Sequence, residues 1–550
     1  MNALGRAKSF FKDDHFRFKR MVGRWLEGTA EMYPDSFADN LLKRWHKTAH
    51  KSGHASAFKE MRATTSKISN SGLAMSSDDS AITAKAKEMS EHCARLKEHG
   101  YFGLSDFVTR KGVQPPEIKA GVTMAGAVER MCCELWWRRQ LRTHHKRWCE
   151  AAAIEFGSVG RGRSLYVSED CLKSRKGQIS RNNSTLCALV AHCLETGEQL
   201  RMDEVAEKSV SNPSIRKDEM MCRMVGLQEW ARDAGHMCHF WTLTAPSRFH
   251  RFSTNRKTGQ IFDNKNYDES TPRDAQRHLS TLWARTRSKL NREGVTVYGV
   301  RVAEPHHDGT PHWHLMMFGA SEDLERASEI MRGYALQESP DEPGAQRRRF
   351  TVKKIKWEFD ANGNVTRSPV SYIAKYISKH LDGSGMDGDT SDECERTPMS
   401  EAISRVDAWR SCWGIRQFQF IDSHAVTLWR ELRRLEDAPE AEEFLPLFDA
   451  VNKTEEKGAD WCAFMRELDQ MPVRLAVEPC DKVNRYGEAA IERIIGVVDT
   501  STGLFEKTRF KTWSIKQSAE RVAPWSPVNN CTERKKVCSM GNEKNQAPPD

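Results

Sequence analysis

No stretch of this sequence approaches the ~18 to 20 consecutive apolar residues that a bilayer-spanning helix requires. Its opening residues, Met1 to Asp14, hold no apolar h-region of a secretory signal. Both absences lead us to expect a soluble protein that stays in the cytoplasm where it is made. Close cysteine pairs are lacking as well. The 15 cysteines run from Cys93 to Cys538 with no CxxC spacing, and Cys132 and Cys133 are adjacent. That argues against structural zinc and against a disulfide framework, and it fits buried thiols in a reducing compartment. A working phosphate-binding loop is also missing. Gly157-Ser158-Val159-Gly160-Arg161-Gly162-Arg163-Ser164 comes near one, but Arg163 replaces the lysine, and Ala151 to Ala153 read as helix where a strand is needed. NTPase activity is excluded on this reading, so any duplex unwinding comes from another protein. The acidic segment Gly383 to Ser400 is no calcium loop either, because Met386 and Asp387 occupy positions that need an oxygen ligand and a glycine.

What is present points to several domains, since 550 residues exceed one ordinary core. Lys plus Arg number 85 against 76 Asp plus Glu, a balance of +9 that is compatible with a polyanionic partner without requiring one. Residues 1–115 read as a helical N-terminal region with a Ser-rich patch between Ser66 and Ser80. Residues 116–235 read as a basic helical region. Its main helix, Ala125 to Ala153, carries Arg138, Arg139 and Arg142 beside Trp136 and Trp137, with no acid between Leu135 and Cys149. Such a stripe can grip phosphates, or it can be a solvated face with the tryptophans in a core.

From His236 to about residue 422 the pattern changes to strands at 240–244, 295–302 and 312–318. Helices are expected at 272–291, 321–336 and 371–381, and a basic strand at 347–357. Gly383 to Ser400 is expected to be mobile. A helical segment at 423–475, a small β-rich segment at 476–516 with a hairpin around Thr500 to Gly503, and a disordered tail at 517–550 complete the reading.

The sharpest chemical pattern is Glu304-Pro305-His306-His307-Asp308-Gly309-Thr310-Pro311-His312-Trp313-His314. Side chains alternate on a strand, so His312 and His314 share one face while Trp313 and Leu315 pack on the other. Two imidazoles so placed can hold one divalent ion. Glu304, returning through the Asp308-Gly309 turn, fits as the third ligand, and the donor set suits Mn²⁺ or Mg²⁺. An isolated His-x-His equally lines a polar crevice.

The second pattern is Ser371-Tyr372-Ile373-Ala374-Lys375-Tyr376-Ile377-Ser378-Lys379. On a helix Tyr372 and Tyr376 point the same way, and Lys375 and Lys379 each follow a tyrosine by three residues. An aromatic stripe at this spacing is ordinarily core, but a core has no use for a repeated Tyr-Lys pairing. Histidine-bound metal and lysine-flanked tyrosines combine in phosphodiester cleavage. The metal draws charge off the non-bridging oxygens, the phenol attacks phosphorus and keeps the 5′ side, and lysine offsets the developing charge.

Together these blocks resemble the phage replication gene A protein (GPA) family, rolling-circle initiators of the HUH endonuclease superfamily. Phe240-Trp241-Thr242-Leu243-Thr244 resembles the first motif, His312-Trp313-His314 the HUH motif, and Tyr372 to Lys379 the two-tyrosine motif, in family order. Further likeness lies in Trp409 to Phe420, and the specific motifs span roughly 240–420. The resemblance implies an α+β protein whose HUH domain, 236–422, is an antiparallel sheet with packed helices. It implies catalytic Tyr372, Tyr376, Lys375 and Lys379, metal ligands His312, His314 and Glu304, and supporting roles at best for Thr242 and Thr244. The expected activity is nicking and religation of single-stranded or supercoiled origin DNA, with a host helicase acting in trans. Arg138, Arg139, Arg142, Arg349 and Lys353 are candidate nucleic-acid contacts. Two other readings stay open at this point. One is an HUH transposase with two tyrosines. The other is a non-catalytic single-strand binder using Arg347 to Phe350 and Lys353 to Trp357.

Overall fold

A computed structural model describes residues 45–53, 55–57, 59, 73–254, 258, 260–359, 365–381, 398–452 and 458–518. The expectations for residues 1–44, for most of Gly383 to Ser400 and for the tail beyond 518 lie outside the described residues, as does much of the Ser-rich patch. At the centre is a five-stranded sheet of β1 (Met237–Thr244), β2 (Tyr298–Pro305), β3 (Pro311–Gly319), β4 (Phe350–Ile355) and β5 (Phe418–Ile421). Its order is β5-β2-β3-β1-β4 and every pairing is antiparallel. β2 and β3 are buried along their whole length. They therefore read as largely apolar runs, broken by Glu304, His312 and His314 and by Arg301, which donates to the Arg416 carbonyl at 2.6 Å and lies over the Trp313 ring.

N-terminal to the sheet lie α1 (Asp79–Arg95), α2 (Glu134–Glu155) and α3 (Glu169–Cys187). The long helix expected from Ala125 to Ala153 is two, Met124–Met131 and α2, separated at Cys132-Cys133. Trp136 and Trp137 are buried with Met89, Phe107 and Leu141, so the tryptophans of the basic stripe are core. Residues 116–235 are not all helical. Strand Leu189–Cys193 pairs with Gln199–Arg201 and with Trp513–Gln517 from the far end of the chain.

The sheet is flanked by α4 (Pro213–Asp233), α5 (Pro272–Glu293), α6 (Ser321–Ala335), α7 (Pro369–Leu381), α8 (Met399–Trp413) and α9 (Trp461–Gln470). α5 begins with a capping box of Thr271 and Asp274 around Pro272, and ends at Gly294 in the left-handed region. Its Leu279, Leu282 and Trp283 join α6 and α8 on the face of Trp241, Leu243, Trp313 and Leu315. The opposite face carries Phe240, Val300, Val302 and Met316. α4, α7 and α9 cover it with Met224, Leu227, Ile373, Ile377 and Phe464. Gly299 on β2 has no room for a side chain, because a Cβ there would lie 1.9 Å from the Met316 carbonyl oxygen. Gly299→Ala is expected to cost about 3 kcal/mol, seen as a lowered midpoint of urea unfolding.

The helical segment expected at 423–475 is present as Val426–Leu432, Leu445–Val451 and α9, and gives way to a strand at Val473. The hairpin expected around Thr500 to Gly503 is part of a larger ribbon. Val473–Val483 pairs with Ala489–Asp499, and Phe505–Lys507 adds a third strand. The ribbon's tip docks on the N-terminal helices. Buried Glu488 accepts hydrogen bonds from both terminal nitrogens of Arg130 (2.7 Å each), from the Thr123 amide (2.9 Å) and from Asn484 Nδ2 (2.8 Å). Arg130, then Asn484, bring the Glu488 carboxyl down to about 2 from an ordinary 4.5. A depressed folded value stabilises docking above the unfolded value and loses that contribution as pH falls through the folded one. The ribbon is expected to loosen between pH 4.5 and 2, read as faster hydrogen exchange over 473–499. Glu488→Gln is expected to flatten that dependence.

Candidate metal and tyrosine site

The site begins with the turn between β2 and β3. The His306 amide donates to the Thr310 carbonyl and the Gly309 amide to the His306 carbonyl, both at 2.8 Å. Asp308 accepts from the Thr310 amide at 3.0 Å. Gly309 has φ +83, and a Cβ there would press on the Tyr166 carbonyl oxygen at 2.8 Å. Trp409 of α8, wholly buried, donates its indole N–H to the Gly309 carbonyl at 2.7 Å. That contact gives the Trp409 to Phe420 block a structural purpose, as a prop under the turn.

The tight turn sets the register that matters. Glu304 lies directly opposite His312 on the neighbouring strand, and Thr242 of β1 lies opposite His314. Glu304, His312 and His314 are 2, 4 and 9% exposed, and their ligand atoms all lie within 4.8 Å of one another. His312 Nε2 and His314 Nε2 are 3.0 Å apart, and the Glu304 carboxylate is 4.0 Å and 3.8 Å from them. Thr242 Oγ1 meets His314 Nδ1 at 3.1 Å, which holds the ring so that Nε2 faces the glutamate. Two imidazole nitrogens and a carboxylate turned toward one another, out of solvent, fit a borderline divalent ion.

A second group of polar side chains backs this cluster. His306 stacks on His312 with centroids 4.1 Å apart, and His250 Nδ1 meets Asp308 at 2.9 Å. Burial works against charge on both members of that pair, yet the pairing prevails: His250 is raised and Asp308 is held below the usual carboxylate range. His306 goes the other way, lowered to about 3 by burial and by the neighbouring His250 charge. These residues build a rigid wall behind His312.

α7 brings the tyrosines. Val370, Ile373, Ile377 and Leu381 form its buried stripe at helical spacing, and Tyr372 and Tyr376 flank that stripe, half-buried. Both rest on Phe240, at centroid distances of 4.6 Å and 5.5 Å, and they lie 6.1 Å from each other. Tyr376 is also 4.8 Å from the His314 ring, while Lys353 of β4 sets its Nζ 4.7 Å from the Tyr372 centroid. The expected ligands and both tyrosines thus meet on one face of one sheet. Phe240, the platform between them, was not singled out from sequence. Its position in the Phe240 to Thr244 strand, two residues before Thr242, was the available signal. Lys375 and Lys379 lie on α7, but their side chains fall outside the described residues.

The proposed nucleic-acid contacts are not brought to this face as a group. Arg142 is held by Asp79 through two hydrogen bonds (2.7 and 2.6 Å), and Arg139 reaches the Tyr486 hydroxyl at 3.2 Å. Arg349 is buried, its guanidinium taken by Glu342 and the carbonyls of Ala335 and Glu338. The basic strand expected at 347–357 is shorter, because Ala345–Arg348 is a short helix and the strand runs only over Phe350–Ile355. Of the five, Lys353 alone is placed against a tyrosine.

Comparison with known proteins bears on the same region. The family described as bacteriophage replication gene A protein (GPA) matches residues 49–384, more than half of the chain. Replication gene A protein of Escherichia phage 186 is 38% identical over 428 residues, covering 74% of this chain and 60% of that one. Probable replication protein P12 of Pseudoalteromonas phage PM2 is 34% identical over 428 residues, covering 76% and 63%. A probable replication endonuclease from a prophage-like region of Salmonella typhimurium is 32% identical over 436 residues, covering 74% and 52%. The chain accordingly spans less than two thirds of the length of these relatives. No solved structure matches it. The class so defined is that of bacteriophage replication proteins. Within it, the chain belongs to the replication gene A protein (GPA) family. No helix among the described residues is long and apolar enough to cross a membrane.

Proposed function

We propose that this chain is a replication initiator that nicks one strand of origin DNA through Tyr372 and Tyr376 and reseals it by the reverse reaction, with an HUH-type core at 236–422. The observation that carries the reading is the placement of Tyr376 4.8 Å from His314, a member of the buried Glu304, His312 and His314 cluster. Kinship with proteins named replication endonuclease supports it further. A divalent ion, Mn²⁺ or Mg²⁺, bound by these three side chains would neutralise charge on the non-bridging oxygens of the scissile phosphate.

The phenol supplies the nucleophile. As its oxygen bonds to phosphorus, the bond to the 3′ oxygen breaks, and the proton lost by the phenol is balanced by the one gained at the new 3′-hydroxyl. No water and no nucleotide triphosphate enter, so the phosphoester energy is retained for resealing. Phe240 holds both rings at the cluster, and Glu304, His312 and His314 stay fixed by sheet register. Lys375 and Lys379 are assigned, from their spacing alone, to offset phosphoryl charge. The 3′-hydroxyl serves as primer, a host helicase separates the strands in trans, and the reaction takes place in the host cytoplasm. Arg138 and its neighbours on α2 remain candidates for a weaker, sequence-independent grip on the duplex, outside the tyrosine site.

The test is a denaturing gel. Incubation with single strands tiled across the encoding genome, in Mn²⁺, is expected to leave a protein–DNA adduct that survives boiling in SDS. Retarded complexes in a native gel with no such adduct would instead support a non-catalytic single-strand binder.

A further inference from the structure

β4 carries two adjacent lysines that the fold treats differently. Lys354 turns to the face covered by α6, where Glu325 pairs with its ammonium group. Lys353 turns to the opposite face. Its partner across the sheet is Phe240, on which both tyrosines rest, and its Nζ lies 4.7 Å from the centroid of the Tyr372 ring. Among the described residues, no acidic side chain takes up Lys353. The tyrosines consequently stand in different company: Tyr372 under a cation from the edge strand, Tyr376 against His314.

An exposed lysine on an edge strand ordinarily does no more than discourage pairing with another sheet. Lys354 already serves that purpose here. Lys353 adds a fixed register opposite Phe240 and a ring face to sit on, where an ammonium group is attracted by the ring's quadrupole. Its four-carbon stem and three donors let the charge move from ring face to phenolic oxygen without backbone movement.

We propose that Lys353 is a positioning residue dedicated to Tyr372, seating the phenol on Phe240 and stabilising negative charge on its oxygen during strand transfer. The inference rests on the tyrosine chemistry proposed above and assigns to one of the two nucleophiles a helper that the Tyr-Lys spacing of α7 does not contain. No extra reactant is involved. As the phenolic oxygen bonds to phosphorus, the bond to the 3′ oxygen breaks and the 3′-hydroxyl gains the balancing proton. Lys353 offsets charge and transfers no proton. In the reverse step the same charge stabilises the departing phenolate.

A double-mutant cycle on the full chain tests this, reading the rate of SDS-resistant adduct on a cleavable single strand in Mn²⁺. Tyr376→Phe leaves Tyr372 as the sole nucleophile, and Tyr372→Phe leaves Tyr376. K353M is expected to slow adduct formation about tenfold or more in the Tyr376→Phe background, through kcat, and by no more than about twofold in the Tyr372→Phe background. K353R is expected to restore most of the loss. Equal slowing in both backgrounds, together with weaker binding of the strand, would overturn the proposal in favour of a general phosphate contact. No slowing in either would reduce Lys353 to a solvated edge residue. Absence of adduct from the parent protein itself would be a separate failure, that of the tyrosine chemistry, and would take the proposal with it.

Discussion

Replacing Tyr372 and Tyr376 together by Phe is expected to reduce covalent strand cleavage below about one ten-thousandth of the parent rate, the scale on which losing a nucleophile acts in covalent catalysis. Each single replacement keeps part of the initial nicking activity, because the rings share the Phe240 platform and lie 6.1 Å apart on one helix face. The fold survives all three changes, since the buried stripe of α7 is made of Val370, Ile373, Ile377 and Leu381 and not of the hydroxyls. What each single mutant loses is repetition. On the proposed mechanism the protein would still be tied to a 5′ end through one tyrosine after one circuit, so a second would have to cut the regenerated origin. Multi-round release of circles by either single mutant at the parent rate would contradict alternation and leave a one-tyrosine nickase.

Removing a proposed metal ligand has the second largest expected effect. His312→Ala and His314→Ala are each expected to weaken Mn²⁺ binding by more than the roughly 100-fold that changes around a metal's own ligands already reach, as measured by calorimetry. Cleavage is expected to fall with it, while single-strand binding is largely kept, because the histidines are buried and offer no exposed charge for a general grip on the strand. Glu304→Ala acts on the same readout. It also leaves a cavity opposite His312 on the fully buried β2, so its melting temperature must be followed alongside. Normal cleavage by the His314 variant would show that the ligand assignment is wrong.

Much of this site was legible in the sequence because it depends on short periods. Alternation alone put His312 and His314 on one face and Trp313 on the other, and the Asp308-Gly309 turn alone brought Glu304 back opposite His312. Four-residue spacing put both tyrosines on one side of α7. Contacts made across the sheet were not legible. Phe240 becomes a platform only when β1 pairs with β3, and Lys353 approaches Tyr372 only when β4 pairs with β1. Arg349 misled for the same reason, since nothing local announces that Glu342 and two carbonyls will bury it. Outside the core, pairing of Leu189–Cys193 with Trp513–Gln517 joins distant parts of the chain, and Val473–Val483 hides its strand behind Glu478, Pro479 and Asp481. Local periodicity carries no trace of such partners.

Trypsin offers the most direct test of the central claim, because it divides the two proposed nucleophiles. Cleavage after Arg367, Lys375 and Lys379 yields Ser368–Lys375 with Tyr372 and Tyr376–Lys379 with Tyr376. The covalent product formed with single-stranded DNA in Mn²⁺ is digested with nuclease and trypsin, and the peptides are weighed. The account predicts a nucleotide 5′-phosphate on one or both of these peptides in the parent, only on the peptide that keeps its tyrosine in each single Phe mutant, and on neither in the double mutant. A nucleotide on any other peptide, or cleavage that leaves a free 5′-phosphate with no adduct, would contradict it.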